Sequence, residues 1–294
     1  MKFQIVRSAL AAYPFPIGHG RITQLGILAQ VLPPDGELQT KLASGEVIFV
    51  DTRDHLHRII AFFGFQDKKI AKLLPTLLGR GNCFVDVGAN CGAMSLAAAS
   101  LVGPSGRVVA FEPNPRQAAL LEKSAKANGF DIEVKCIGLS DSSGLVEMII
   151  PKGCSGYGAI ADGKAASEHD EVIEIQVCVS GEAMVANELA QIDLLKVDIE
   201  GHEENFFKGA KEFLSEHPPV HILCELSGEE PFWDRDSIQV LRQMGYEFYG
   251  IPHEMSSSLL KKLQYGSHVT FESTRDFIAT RKPAICDALC HSST

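Results

Sequence analysis

The chain has 294 residues, 45% of them hydrophobic and 22% charged, an ordinary globular balance that excludes collagen, coiled coil or disorder as its main organisation. Its 27 basic and 37 acidic side chains leave a net charge of −10, which argues against general nucleic-acid binding, because such binding runs on Lys and Arg neutralising phosphates. A small cationic ligand or a neutral substrate suits that sign better.

At the start, residues 1–20 carry Lys2 and Arg7, and their apolar run is broken by Pro14 and Pro16. A secretory signal needs a longer apolar stretch and a small-residue cleavage site. The longest apolar runs, such as 59–63, fall far below the roughly 20 residues that cross a bilayer. The expectation is therefore a cytoplasmic chain with no export or membrane segment. Residues 1–80 read as a mixed leader, with a strand-like run at 46–50 and helix-like runs at 56–62 and 68–78, packed as a cap on the core.

From residue 83 onward strands and helices alternate. Strands are predicted at 83–87, 107–111, 132–137, 193–199, 221–226, 247–249 and 276–280, and helices at 90–100, 115–128, 203–214 and 236–244. Pro113 and Pro115 stop the second strand, while Gly129 and Gly245 sit where helix C-terminal caps belong. Such alternation implies an α/β fold with a doubly wound, mostly parallel sheet. The last two strands connect more loosely and could form an antiparallel pair. Residues 145–150 and 172–179 look like two further strands around a Gly-, Ala- and Ser-rich segment, 151–170, and a loop of that length in a compact domain is usually functional or disordered. The expected organisation is a cap at 1–80, a core domain at 81–282 and a tail at 283–294.

The eight cysteines contain no CxxC pair, which argues against a zinc ribbon or a thioredoxin-type site. Cys83, Cys136, Cys178 and Cys224 fall in strand-like apolar runs and read as buried, reduced thiols.

Chemistry concentrates at the carboxyl ends of the predicted strands, where sheets of this kind bind ligands. The run Asp86-Val87-Gly88-Ala89-Asn90-Cys91-Gly92 joins the first strand to its helix. Gly88 permits a sharp turn, and Gly92 is expected to let a ligand approach the helix N-terminus. Glu112 ends the second strand, placed to accept the hydroxyls of a ribose. A dinucleotide site wants GxGxxG, and the last glycine is missing here. Asp141 follows the third strand and could take the exocyclic amine of an adenine, or simply be a turn aspartate. In Asp193-Leu194-Leu195-Lys196-Val197-Asp198-Ile199-Glu200-Gly201-His202-Glu203, a period of two places Lys196, Asp198 and Glu200 on one face. Charges on a buried strand are costly unless they work or pair. Glu225 closes the next strand and would join Asp198 and Glu200 in an acidic cluster. That cluster could be a structural network around Lys196, or could hold a divalent cation such as magnesium; the reading adopted has no metal.

The phrases Phe84 to Gly92 and Leu195 to Glu203, with Phe111-Glu112-Pro113-Asn114-Pro115, Gly138-Leu139-Ser140-Asp141 and the Glu225 strand, together resemble the FkbM-type family of S-adenosylmethionine (SAM)-dependent methyltransferases over about residues 45–282. The leader phrase Gly18-His19-Gly20-Arg21 is weakly similar. The resemblance implies a Rossmann-type class I core with a seven-stranded sheet, SAM as cofactor, and O-methylation of a hydroxyl on a sugar or secondary metabolite. The partner would be a small-molecule or glycan acceptor, with no nucleic acid and no membrane. Carried over by position, Gly88, Asn90 and Gly92 would line the methionine side, Glu112 the ribose and Asp141 the adenine, with Asp86, Asn114 and Ser140 also in the cofactor motifs. Tyr157 and Glu225 would meet the acceptor. Cys91 and His202 depart from the usual aliphatic and alanine.

An alcohol is a poor nucleophile until its proton leaves, and a positioned base adds about 10²–10⁴-fold. Asp198 is the first candidate base, with Glu200 and His202 behind it and Lys196 beside them in the catalytic strand. The rival readings are an NAD-dependent oxidoreductase, a non-catalytic SAM-binding module and an interaction protein.

Overall fold

The computed structural model describes residues 2–11, 19–23, 25, 28, 30–33, 36–163, 165–226, 230–252, 258–267, 269 and 276–290. Gly18 of the leader phrase and the last four residues of the expected tail lie outside these. The chain opens with helices α1 (Lys2–Ala11) and α2 (His19–Thr23), the hairpin β1 (Glu37–Lys41) and β2 (Val47–Asp51), and helices α3 (His55–Phe63) and α4 (Lys68–Leu77). There follow β3 (Cys83–Val87), α5 (Ala93–Val102), β4 (Arg107–Phe111), α6 (Pro115–Asn128), β5 (Ile132–Lys135), β6 (Gly138–Ser140), β7 (Gly144–Ile150), β8 (Ala159–Ile160), β9 (Glu171–Val179) and α7 (Ser180–Ala186). The last stretch is β10 (Leu194–Val197), α8 (Glu203–Glu216), β11 (His221–Glu225), α9 (Asp236–Gln243), β12 (Glu247–Gly250), β13 (Lys261–Lys262), β14 (Asp276–Thr280) and α10 (Pro283–Cys290). Among the described residues, no helix is long and apolar enough to cross a membrane.

The main sheet runs β13-β12-β14-β11-β10-β3-β4-β5. From β11 to β5 all neighbours are parallel, whereas β14 inserts antiparallel between β11 and β12. This is the expected doubly wound sheet, with the two-residue β13 added as an eighth strand at the edge. Its strands are apolar on both faces because both faces are covered. Val85, Val109, Leu195 and Val197 face α8 and α9 through Phe206, Phe207, Ile238 and Leu241. Phe84, Val108, Leu194 and Leu223 face α4, α5 and α10 through Leu73, Leu74, Ala98 and Cys286.

Local signals explain several boundaries. Asn114 caps α6 by accepting the Arg116 N–H, Pro115 supplies its first turn, and Gly129 ends it in the left-handed conformation. Asp54 and Asp67 cap α3 and α4 in the same way.

Four features differ from the sequence reading. Gly138–Ser140 is itself a strand, paired in parallel with β9 in a second sheet of order β6-β9-β7-β8. The strand expected at 193–199 spans only Leu194–Val197, where its pairing with β3 and β11 stops as β3 turns away at Gly88, and Glu200 beyond it takes a positive φ of 53°. Cys136 lies beyond β5 and is exposed, not buried in a strand. Residues 283–290 of the expected tail form a helix with Cys286 fully buried.

The leader forms a cap around α3. Phe62, Ile60, Ile48 and Val50 share a buried cluster with Ala89, Leu96 and Leu121 of the core. Strand β2 is stitched to α6: the Val47 N–H donates to Asn128 Oδ1 at 2.8 Å, Asn128 Nδ2 donates to the Val47 carbonyl at 2.7 Å, and the Phe49 N–H donates to Ser124 Oγ at 3.0 Å.

Candidate active site

The site forms where β3, β4 and β10 end together. Val87 is in register with both Phe111 and Val197, so the residues after each strand converge. Gly88 turns away from β3 at φ 79°. A Cβ at that position would overlap the carbonyl oxygen of Asp198, so glycine is required for the two strand ends to approach this closely. The Gly88 and Ala89 N–H groups donate to the Phe111 carbonyl at 2.9 and 3.1 Å. Asn90 holds a positive φ of 50°, a conformation asparagine tolerates better than most residues.

Glu112 anchors this turn. It is 5% exposed. Its Oε2 accepts the Asn90 N–H at 2.7 Å and its Oε1 accepts the Asn114 N–H at 2.8 Å. Burial pushes its carboxyl up to about 7, against the two backbone bonds and Lys196, which favour the charged form.

Lys196 stands directly opposite Asp86 in the β10–β3 register. Its ammonium, almost fully buried, lies 3.0 Å from Asp86 Oδ1 and 3.4 Å from Asp198 Oδ2, and it donates to the Gly88 carbonyl at 2.8 Å. Burial alone would lower its pKa, but Asp86 and Asp198 outweigh that and hold the ammonium well above its ordinary range. The remaining Asp86 oxygen accepts from Ser95 Oγ at 2.6 Å. Lys196 and Asp86 therefore set the positions of the Gly88 turn and Asp198. Beyond β10 the carboxylates of Asp198, Glu200 and Glu225 come within 4.8 Å of one another, each half-buried.

Two cavities meet here. The first, about 70 Å³, is lined by Gly88, Asn90, Glu112, Asp198, Glu200 and His202 from the strand ends, and by Met148, Ser155, Gly158 and Ile160 from the second sheet and its loop. Gln66 and Asp198 also line the second cavity, about 610 Å³, which reaches Glu225 and Asp276.

Several expected cofactor residues lie outside both cavities. Gly92 lets Leu121 of α6 pack against the start of α5, where a Cβ would clash. Asn114 is spent on the α6 cap. Asp141 turns outward to Lys208 at 2.6 Å and Asn205 at 3.3 Å, and the Lys208 bond holds its carboxyl well below the usual range. Ser140 bonds His202 Nε2 at 2.8 Å. Burial lowers the His202 pKa, opposed by Asp141 and Asp162, so the ring is neutral at pH 7. Tyr157 is exposed on the short helix Ser155–Tyr157 that borders the first cavity.

Sequence reasoning missed two contributors. One wall comes from Met148, Ile160 and Ile175 of the second sheet; the alternating runs around 151–170 were the available signal. The other is His57, fully buried in α3. The Asp51 N–H donates to its Nδ1 at 2.9 Å, and Nε2 meets Asn90 Oδ1 at 3.0 Å. The neighbouring Cys91 and Asp54 would favour an imidazolium, but with Nδ1 accepting a backbone N–H the ring is neutral and donates from Nε2. Asn90 Oδ1 also accepts the Cys91 N–H at 2.6 Å. In the same turn, Asp54 Oδ2 accepts the Ser155 N–H and the His55 N–H donates to the Gly153 carbonyl at 2.7 Å. The cap thus holds both the Asn90 turn and the loop that covers the first cavity.

The model of the methyltransferase FkbM domain matches residues 86–248, more than half of the chain. No curated protein matches. Among solved structures, precorrin-6y C5,15-methyltransferase from Geobacter metallireducens is 11% identical, with 73% of this chain and 90% of that one covered and a TM-score of 0.39. A SAM-dependent O-methyltransferase from Thermotoga maritima is 13% identical, with 87% and 97% covered and a TM-score of 0.38. Fibrillarin from Aeropyrum pernix, with S-adenosyl-L-methionine natively bound, is 14% identical, with 72% and 74% covered and a TM-score of 0.40.

Proposed function

We propose, from the premise that the chain belongs to the FkbM family of SAM-dependent methyltransferases, that it methylates a hydroxyl oxygen and that Asp198 is the base. The observation that carries this reading is the place of Asp198: the residue lines both cavities, with its carboxylate held by Lys196. The family membership sets aside the oxidoreductase reading.

The residues present suit the cofactor. Glu112 lines the first cavity, its buried carboxylate is already ordered by two backbone N–H groups, and its remaining lone pairs can accept two ribose hydroxyls. Gly88 and Asn90 form the wall beside it. Asp141, by contrast, supports no adenine contact as placed. A nucleoside-bearing cofactor needs more than 70 Å³, since ligand pockets run from about 300 Å³ upward. With β3, β4 and β10 fixed in the sheet, the loop around Ser155–Tyr157 is the wall that would have to move, giving up its bonds to Asp54 and His55.

When bound, SAM supplies an electrophilic methyl group on a sulfonium. Asp198 would accept the acceptor's hydroxyl proton as the hydroxyl oxygen takes the methyl group and the methyl–sulfur bond breaks, S-adenosylhomocysteine being the leaving group. Lys196 keeps the Asp198 carboxylate oriented without taking the proton itself, because its own ammonium stays charged. His202, neutral and on the same wall, is the second group able to take a proton. Holding donor and acceptor aligned supplies up to about 7–11 kcal/mol of such a barrier.

The test is transfer of a labelled methyl group from SAM to a panel of alcohols, methyl glycosides and amines. The expected product is an ether, stable to mild base, and Asp198→Asn is expected to lower its rate by about 10²–10⁴-fold with SAM affinity kept. Label in an amine or a base-labile ester, or full activity in the variant, overturns the reading. SAM binding without transfer to any acceptor favours the non-catalytic module.

A further inference from the structure

We infer that the 610 Å³ cavity is the acceptor's seat, and that the acceptor is an amphiphile: an apolar body carrying its reactive hydroxyl at one end, rather than a free sugar. This rests on the methyltransferase reading above and narrows its substrate.

The cavity runs between α4 and α5, roofed by the Leu42–Glu46 turn and the 64–68 connection. Its long wall is apolar: Leu42, Phe65, Ile70, Leu74, Met94 and Leu101. Phe65, Ile70, Met94 and Leu101 are only half-buried, so they keep apolar surface that an occupant would cover. The volume lies within the roughly 300–1,000 Å³ typical of small-molecule pockets.

Polar residues border that wall: Ser44, Glu46, Gln66 and Asp67 in the roof and Ser100 on α5. At the inner end stand Asp198, Glu225 and Asp276, and Asp198 opens onto the first cavity. Lys68 and the exposed Lys72, in the first turns of α4, also line the cavity. Along the apolar wall a sugar would leave hydroxyls facing Leu, Ile and Met, each unpaired polar group costing about 1–3 kcal/mol. A chain or fused-ring body buries its apolar surface along that wall and delivers one hydroxyl to Asp198. The inner carboxylates can hydrogen-bond that hydroxyl, and they repel an anionic group at that end.

The probes are straight-chain primary alcohols of eight to fourteen carbons and methyl β-glucoside, titrated calorimetrically into the protein with and without S-adenosylhomocysteine. Alcohol binding is expected to tighten about fourfold per added methylene until the cavity is full, with no glucoside binding. Ala97→Phe and the exposed Ala71→Trp, both on the cavity wall, are expected to weaken the longest alcohol at least tenfold and leave S-adenosylhomocysteine affinity unchanged. Glucoside binding in preference to the alcohols overturns the inference, as does alcohol affinity that neither folded variant changes. Loss of S-adenosylhomocysteine binding in the unmodified protein would instead overturn the function proposed above, while the alcohol titration still decides the cavity.

Discussion

Cofactor affinity should follow the ionisation of Glu112. In the free protein burial raises this carboxyl to about 7 from its ordinary 4.5. Only the carboxylate can accept two ribose hydroxyls while still accepting the Asn90 and Asn114 N–H groups. At pH 5.5 about 3% of the protein carries that carboxylate, so affinity should fall about 30-fold relative to pH 8, or about 2 kcal/mol. The protein's own stability moves the other way. A carboxyl with a raised folded-state pKa binds more protons folded than unfolded between pH 4.5 and 7, so its contribution falls as pH rises through that window. The destabilisation is complete above pH 7, at about 3 kcal/mol. The assay is calorimetric titration with S-adenosylhomocysteine from pH 5.5 to 8, in buffers of different ionisation enthalpy, which also counts the proton released on binding. Glu112→Gln should bind weakly at every pH and lose the dependence. A wild-type affinity that is flat within twofold over this range, with no proton released, refutes the assignment of Glu112 to the cofactor.

Gly88→Ala forces a Cβ onto the Asp198 carbonyl at a positive φ; such backbone strain costs about 1–3 kcal/mol before the overlap is counted, read as a lowered midpoint in urea together with lost SAM binding. Lys196→Met leaves Asp86 buried beside an unpaired Asp198, so unfolding free energy should fall by about 3–5 kcal/mol. Adding Asp86→Leu should recover part of that loss; no recovery would show that Lys196 is not held for the pair. Phe62→Ala empties the centre of the cluster joining cap to core and should cost about 3–5 kcal/mol, with protease cleavage appearing first in the cap.

What was legible in the sequence was punctuation and period. Helix 115–128 was read to the residue because Asn114, Pro115 and Gly129 mark its ends, and strand 276–280 because a short apolar run stood alone. The strand through Lys196 ends before its alternation does, because pairing stops where β3 turns away at Gly88, and alternation carries no sign of that. Lys196, Asp198, Glu200 and Glu225 were nonetheless gathered as expected, since the ends of neighbouring parallel strands meet. The surroundings of Asp141 and Gly92 are set by distant residues and leave no local signal: Lys208 lies on α8 and Leu121 on α6. The second sheet's share of the cavity wall, and His57, depend on how cap and loop dock, and no local pattern encodes docking.

The first turn of α3 ties three parts of the chain together within four residues. Asp54 and His55 hold the loop at 153–155, and His57 holds Asn90. An engineer exchanging acceptor specificity by grafting a leader from a relative would also be exchanging the bracket that shapes the cofactor turn. The transplantable unit is therefore discontinuous: residues 54–57, 88–92 and 153–158 must travel as one block, or a chimaera will inherit a new acceptor wall over a turn it no longer supports.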